Sequence, residues 1–278
     1  MLFVDQIRII HMLVIKIGGA AGIDYSNLCA DIARLAAQGQ PIVLFHGGSD
    51  GANTLGEQLG HPPRFITSPS GHTSRQTDRR TLEIFMMATA LLNRQFVERL
   101  RGLGVNALGL SGIDGGLLQG TRKTNVRAVE HGRVRVIRDD WTGSIDQVNR
   151  GLLQTLLSAG YLPVIAPLAV SNVGEPLNID GDRGAASVAV ALEAETLLLL
   201  TNVSGLYRNF PNESSLIGRL PRTELAQATE KLAQGRMKKK LLGAQTALDG
   251  GLRRVIIGDG RRDQPISDAL AGQGTIIE

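Results

Sequence analysis

Two short apolar runs, each ending in a pair of glycines, constrain this chain more than any other feature. Met12-Leu13-Val14-Ile15-Lys16-Ile17 runs into Gly18-Gly19, and Pro41-Ile42-Val43-Leu44-Phe45 runs into His46-Gly47-Gly48-Ser49. Both runs are apolar at consecutive positions and rich in β-branched residues, the pattern of a strand buried on both faces of a parallel sheet. Paired glycines let the backbone turn sharply and approach a ligand, leaving N–H groups for anionic oxygens. Lys16 adds a positive charge just before the first turn. Two such turns at neighbouring strand ends predict one phosphoryl group held from two sides. The plainer alternative is a pair of tight strand-to-helix connections. Neither turn fits Gly-x-x-x-x-Gly-Lys-Ser/Thr or Gly-x-Gly-x-x-Gly, so neither the usual nucleoside-triphosphatase loop nor the dinucleotide fingerprint is present.

The rest of the chain alternates strand and helix signals, which predicts an α/β sandwich with a largely parallel sheet. Asp24 is expected to cap a helix reaching about Gln38, and Ser49 or Asp50 one ending near Gly60. His61-Pro62-Pro63 breaks the chain, and the polar stretch 65–77 reads as a loop or hairpin. Asp78 opens a long amphipathic helix to about Arg101, with Leu82, Phe85, Met86, Thr89 and Phe96 toward the core. Strands are expected over 105–110, 161–165, 197–200 and 255–257, with a closing strand near Thr275. Helices are expected over 146–159, 182–193 and 238–249. The stretch 117–137 reads as exposed hairpins dotted with Arg and Lys. With a lobe boundary near Ser171–Pro176, the chain divides into an extension (1–11), an N-terminal lobe (12–172) and a C-terminal lobe (173–278).

Composition narrows the partners. The 278 residues are 42% hydrophobic and 20% charged, as in an ordinary globular protein, and no run is long and apolar enough to span a membrane. Cys29 is the only cysteine, so no internal disulfide forms and the cytoplasm is the expected compartment. Charge is uneven: between Arg64 and Arg138 there are thirteen Lys/Arg against five Asp/Glu, a net of +8 in a chain whose total is +4. That region is suited to an acidic partner. With aromatics at 4% and no basic-aromatic interleaving, nucleic acid is the weaker choice.

Later motifs add chemistry. In Asn178-Ile179-Asp180-Gly181-Asp182, both carboxylates lie at a helix start, where capping competes with function. Asp180 is the candidate to orient phosphate-holding lysines, and Asp182 the candidate cap. Thr201-Asn202-Val203-Ser204-Gly205-Leu206-Tyr207 follows a strand as a loop over a nucleotide would. Gly235-Arg236-Met237-Lys238-Lys239-Lys240 opens a helix, and lysines there oppose the helix dipole unless an anion is bound. A solvated basic turn is the alternative. Gly258-Asp259-Gly260 is a further strand-end turn. No credible Ser-His-Asp or Cys-His set, metal-ligand cluster or general base is visible. Phosphoryl transfer to a carboxylate, ionised at neutral pH with a pKa near ~4.3, needs none of them. It needs only neutralised repulsion and in-line positioning.

Taken in order over residues 12–278, these motifs resemble the amino acid kinase family, which includes acetylglutamate kinase. The resemblance implies an open three-layer αβα sandwich with a mainly parallel sheet. It implies an N-terminal lobe for acyl substrate and dimerisation, and a C-terminal lobe for ATP. It places Lys16 and Lys238 about the transferred phosphoryl group, with Gly18, Gly19, Gly47 and Gly48 donating N–H groups and Asp180 organising the lysines. It assigns Ser49, Arg75 and Asn178 to the substrate, and Thr201, Asn202, Gly205, Leu206, Tyr207, Gly235, Arg236 and Met237 to the nucleotide. Magnesium is implied as held mainly by phosphates, with no protein metal cluster.

Ser49 stands where acetylglutamate kinases typically have a further glycine. The stretches Gly60-His61-Pro62-Pro63-Arg64-Phe65, Ser74-Arg75-Gln76-Thr77-Asp78-Arg79 and Asn178 to Asp182 are similar to a particular branch. Its kinases act on α-aminoadipate, or glutamate, linked through the amino group to a small acidic carrier protein in lysine, and sometimes arginine, biosynthesis. The resemblance thus implies a homodimer through the first lobe, and the basic region itself offers Arg122, Lys123, Arg127, Arg133, Arg135 and Arg138 as carrier-docking cations, with a merely solvated hairpin surface as the alternative. An acetylglutamate kinase acting on the free acetylated substrate, and a non-catalytic sensor or carrier-binding module, remain open on sequence alone.

Overall fold

The computed structural model describes residues 12–19, 22–69, 71, 73–130 and 132–278. The expected extension, 1–11, lies outside them. In chain order, β1 (Leu13–Ile17), α1 (Tyr25–Ala37), β2 (Ile42–His46) and α2 (Ser49–Gln58) come first. A hairpin of β3 (Phe65–Thr67) and β4 (Thr73–Arg75) precedes α3 (Arg79–Gly102) and β5 (Ala107–Ser111). The strands β6 (Leu118–Gly120), β7 (Val126–Glu130), β8 (Arg133–Ile137) and β9 (Gln147–Val148) follow. Next come α4 (Arg150–Ser158), β10 (Leu162–Ala166), β11 (Leu168–Ser171) and β12 (Pro176–Asn178). The chain closes with α5 (Gly181–Ala191), β13 (Thr196–Thr201), β14 (Arg219–Leu220), α6 (Leu225–Lys231), α7 (Gly235–Asp249), β15 (Arg254–Asp259), α8 (Pro265–Leu270) and β16 (Thr275–Ile277).

Eight strands form one continuous sheet in the order β14-β16-β15-β13-β1-β2-β10-β5. The six from β15 to β5 are parallel; β16 runs antiparallel to β15, and β14 follows β16. Strand alternation sorts the core into two layers. Leu13, Ile15, Ile17, Ile42 and Leu44 pack with Leu28 and Ile32 of α1, Phe96 and Leu100 of α3, and Ile266 and Ala269 of α8. Val14, Val43, Phe45, Leu197 and Leu199 pack with Leu153 of α4, Ala185 and Val188 of α5, Ala228 of α6, and Leu241, Ala244 and Leu248 of α7. The result is the expected αβα sandwich. Each fully buried Leu, Ile or Val contributes about 1.5–3 kcal/mol relative to exposure, so both layers are strongly held.

One carboxylate fastens distant parts of this frame. Asp31 of α1 is buried and accepts the Ile266 and Ser267 N–H groups at 2.8 and 2.9 Å. It thereby caps α8 across 235 residues, and an N-terminal helix and a C-terminal helix share one acceptor.

Several local expectations give way. The cap of α2 is Gly48, with no side-chain hydrogen bond, and Ser49 is already helical. Asp146 does not open a helix: the chain pairs as β9, and Asn149 caps α4 by accepting the Leu152 N–H at 3.1 Å. The stretch 117–137 is only partly an exposed hairpin. Leu117 and Leu118 are fully buried, and β6 joins β9, β11 and β12 in a second, four-stranded sheet. Asp24 and Asp78 cap α1 and α3 as their positions predict, each accepting a main-chain N–H at 2.7 Å.

Candidate active site

The carboxyl ends of β1, β2, β13 and β15 converge at the centre of the sheet, where the strand order reverses and open α/β sheets bind ligands. Alternation in β1 turns Lys16 toward the layer of α5 and α7, into a position where Val14 one pleat earlier is core. There Lys16 Nζ lies 2.8 Å from Asp182 Oδ1. Lys240 Nζ reaches the same carboxylate at 3.2 and 3.3 Å. All three side chains are buried.

Glycines make this convergence sterically feasible. A Cβ on Gly243 of α7 would stand 3.2 Å from the Asp182 Cβ, so its absence lets α7 seat closely on α5. A Cβ on Gly184 would meet the Phe45 ring at 2.5 Å, so α5 in turn lies tight on β2.

The triad carries one negative and two positive charges. A buried group of net +1 is incomplete without an anion, which is the electrostatic character a phosphate site requires. Burial alone would raise the Asp182 carboxyl, but the two ammonium groups hold it far below the usual carboxylate range. Burial pushes the Lys240 ammonium down to about 8, with repulsion from Lys16 in the same direction and attraction to Asp182 opposing it. Lys240 therefore loses charge as pH rises through about 8 in the ligand-free enzyme. Affinity for a non-hydrolysable ATP analogue is expected to weaken above that pH. Calorimetric titration from pH 6.5 to 9.5 checks this, and a flat profile contradicts it.

The other expected members of this centre lie elsewhere. Asp180 is exposed and caps α5, its Oδ1 accepting the Asp182 and Arg183 N–H groups at 3.1 Å each. Asp182, two residues on in the first turn of α5, points to the lysines. Lys238 is partly exposed and makes no ion pair among the described residues, because it lies about 200° around α7 from Lys240. The buried face of α7 carries Lys240, Leu241, Gly243, Ala244, Ala247 and Leu248, a helical stripe that selects Lys240 from the three-lysine run.

The glycine turns touch as expected: a Cβ on Gly47 would stand 2.9 Å from the Gly19 nitrogen, and one on Gly19 would stand 3.3 Å from the Gly48 nitrogen. Their four N–H groups divide, however. Gly18 donates to Leu200 O at 3.3 Å and Gly47 to Ile17 O at 2.9 Å, continuing the parallel ladders. Gly19 and Gly48 have no acceptor among the described residues.

Around the turns, Arg75 donates to Ser49 O at 3.0 Å and lies over the Phe65 ring at 5.6 Å. Asn178 donates to Thr77 Oγ1 at 3.0 Å, which joins β12 to the segment that follows β4. Of the nucleotide candidates, Thr201 ends β13 and Asn202 is exposed beside it. Leu206 is instead core, its N–H donating to Thr275 Oγ1 at 2.8 Å, and Gly205 gives way to the same threonine. Tyr207 is buried against Phe210, with ring centroids 5.8 Å apart. Gly235 begins α7 at φ 52°, a left-handed position suited to glycine; Arg236 is exposed and Met237 packs on the core. The first turn of α7 has no side-chain cap and no acidic residue.

The candidate docking cations separate too. Arg122 stacks 3.8 Å over Trp141 and donates to Glu175 at 3.2 Å and to Asp140 O at 2.8 Å, so it braces the second sheet. Lys123, Arg127, Arg133, Arg135 and Arg138 are exposed.

A model of the amino acid kinase family matches residues 11–259. The chain belongs to the amino acid kinase family and is an ATP-dependent phosphotransferase. It is 54% identical over 276 residues to the [LysW]-aminoadipate kinase of Deinococcus radiodurans, covering 99% of this chain and 94% of that one. It is 49% identical over 269 residues to the [LysW]-aminoadipate kinase of Thermus thermophilus, covering 96% and 100%. Among solved structures it is similar to N-acetylglutamate synthase from Neisseria gonorrhoeae complexed with coenzyme A and N-acetyl-glutamate, with a TM-score of 0.78 at 28% identity. The match covers 96% of this chain and 59% of the synthase.

Proposed function

We propose that this enzyme phosphorylates the side-chain carboxylate of α-aminoadipate, and of glutamate as a secondary acceptor, while the amino acid is attached by its amino group to a small acidic carrier protein. The product is an acyl phosphate, placed in cytoplasmic lysine biosynthesis and, for glutamate, arginine biosynthesis. The observation that carries the phosphotransfer part is the single carboxylate, Asp182, holding Lys16 and Lys240 beside the N–H groups of Gly19 and Gly48, which have no acceptor among the described residues. The substrate part is supported by the two relatives named [LysW]-aminoadipate kinase.

In this reading the acceptor carboxylate arrives already ionised, so the chain supplies no base. Lys16 and Lys240 offset anion–anion repulsion and charge gathering on the transferred group, and the glycine N–H groups orient it. Asp182 holds both lysines in place. ATP lies toward β13, β15 and the uncapped start of α7; the acyl substrate lies toward Ser49, Arg75 and Asn178. We retain the division into lobes at 172/173 on that basis. Asp182 is committed to two lysines and Asp180 Oδ1 to two N–H groups, so magnesium fits as an ion carried by the phosphates rather than by a protein cluster. We place a homodimer contact on the first lobe, where Met87 and Leu91 of α3 are 45% and 61% exposed.

The deciding assay is acyl phosphate formation with the aminoadipate-loaded carrier and with free N-acetylglutamate. Turnover confined to the free acetylated substrate would make this an acetylglutamate kinase, and turnover on neither would leave a sensor with the same fold. The β7–β8 hairpin is the proposed carrier site. Reversing Arg133 and Arg135 to glutamate is expected to weaken carrier binding about tenfold or more at low salt while leaving ATP binding unchanged. Equal loss of both affinities contradicts that placement.

A further inference from the structure

The glycine turns can present N–H groups to a phosphoryl group only if their peptides keep one orientation. His46, the last residue of β2, is fully buried, and so is Asn93 in the middle of α3. Alternation sends His46 to the layer of α1 and α3, opposite to Lys16, and its ring lies 5.6 Å from Phe96. His46 Nδ1 is 2.6 Å from the Gly47 carbonyl oxygen, and Nε2 is 3.1 Å from Asn93 Nδ2. That amide nitrogen also lies 2.8 Å from Val164 O and 3.3 Å from Leu110 O. Two main-chain carbonyls settle which end of the Asn93 amide is the NH2, because its oxygen there would face only acceptors. His46 Nε2 is therefore the acceptor, and Nδ1 carries the proton donated to Gly47 O. Gly109 of β5 has no side chain where Asn93 Oδ1 sits, so the sheet leaves room for this amide.

We propose that His46, oriented by Asn93, is a positioning residue: it pins the Gly47 carbonyl inward and so aims the Gly48 N–H at the transferred phosphoryl group. The two groups belong to one peptide unit, and in a trans peptide the C=O and N–H point in opposite directions. Without the histidine, a Gly-Gly link is free to flip at little cost, since glycine accepts conformations barred to other residues. The same peptide begins α2, so its orientation also sets the first free N–H of that helix. Burial, with the nearby Lys16 charge, pushes the imidazole down to about 4, which keeps it neutral at working pH and leaves Nε2 free to accept. His46 touches no substrate; it acts through Gly48.

The inference rests on the phosphotransferase reading, and paired side chains test it. In His46→Asn the amide nitrogen falls near the place of Nδ1 and preserves the donor to Gly47 O. In His46→Gln the amide reaches toward Asn93 and leaves that carbonyl without a donor. Affinities for ADP and for AMP-PNP, both with magnesium, are measured together with kcat and KM. His46→Gln is expected to keep ADP affinity, to lose about tenfold in AMP-PNP affinity, and to lose roughly 10²-fold in kcat, the scale of one oriented N–H donor. His46→Asn is expected to recover most of both. Folded variants with the same AMP-PNP-to-ADP ratio as the wild type, or Asn no better than Gln, overturn the positioning role. A wild-type protein that binds neither nucleotide overturns this role and the phosphotransferase reading together.

Discussion

Asp182→Asn is expected to reduce kcat by about 10³-fold and to destabilise the fold, whereas Asp180→Ala leaves turnover within a fewfold of wild type. Asparagine keeps the shape of Asp182 but removes the negative charge between Lys16 and Lys240, which stand 2.8 and 3.2 Å from it. Two buried ammonium groups then lack a counterion, and breaking a buried ion pair this way costs about 3–5 kcal/mol. Losing the α5 cap in Asp180→Ala costs about 1 kcal/mol, with the catalytic centre intact. The folded Asp182 carboxyl is held below its unfolded value, so its stabilisation is present above the unfolded pKa of ~3.9 and fades as pH falls below that. The Asn variant should therefore lack this acid-dependent component. Steady-state kinetics and thermal melting between pH 3 and 7 read both effects. Full activity in Asp182→Asn, or severe loss in Asp180→Ala, reverses the assignment.

Lys240→Met is expected to cost about 10²–10³-fold in kcat/KM, the scale of a donor that meets charge developing in the transition state. Lys238→Met should cost severalfold at most, mainly through nucleotide KM. The contrast follows from placement: Lys240 is enclosed against α5 and bound to Asp182, while Lys238 lies partly exposed on another face of α7. Methionine approximates the lysine stem and limits packing damage, so circular dichroism should be unchanged in both. The decline in analogue affinity above pH 8 should vanish in Lys240→Met and persist in Lys238→Met. Equal kinetic losses in the two variants would show that the first turns of α7 act as one diffuse cation.

The architecture was legible because apolar runs and glycine punctuation are local signals. The strands at 13–17, 42–46 and 196–201 and the helix capped by Asp78 stand where pattern places them. The short pairings β6, β9 and β11 were not, because two to four residues carry too little periodicity to separate strand from loop. Within the site, Lys16 and the touching glycine turns follow from sequence, but the partner carboxylate and second lysine do not. Asp180 and Asp182 sit two residues apart, as do Lys238 and Lys240, and each pair presents identical chemistry to opposite sides of a helix. Only phase decides. The apolar stripe of α7, with Leu241, Ala244 and Leu248 on the Lys240 side, held the required signal for the lysine. For the carboxylates the cap offset was the signal: Asp180 precedes the first helical residue, where a side chain bonds back to its own chain and is spent. The Gly18 and Gly47 N–H groups could be discounted only after strand register showed them inside the ladders.

The two lysines paired with Asp182 differ in how firmly they are mounted. Lys16 belongs to the middle strand of the sheet, bonded along all five residues to β13 on one side and β2 on the other. Shifting it means tearing both seams. Lys240 rides on an outer-layer helix, α7, which meets α5 closely at Gly243 and through the packing of Leu241, Ala244 and Leu248, with no hydrogen-bonded ladder between them. The first lysine is thus mounted on hydrogen-bonded strands and the second on side-chain packing, so displacing one relative to the other means sliding α7 over α5 rather than parting the sheet.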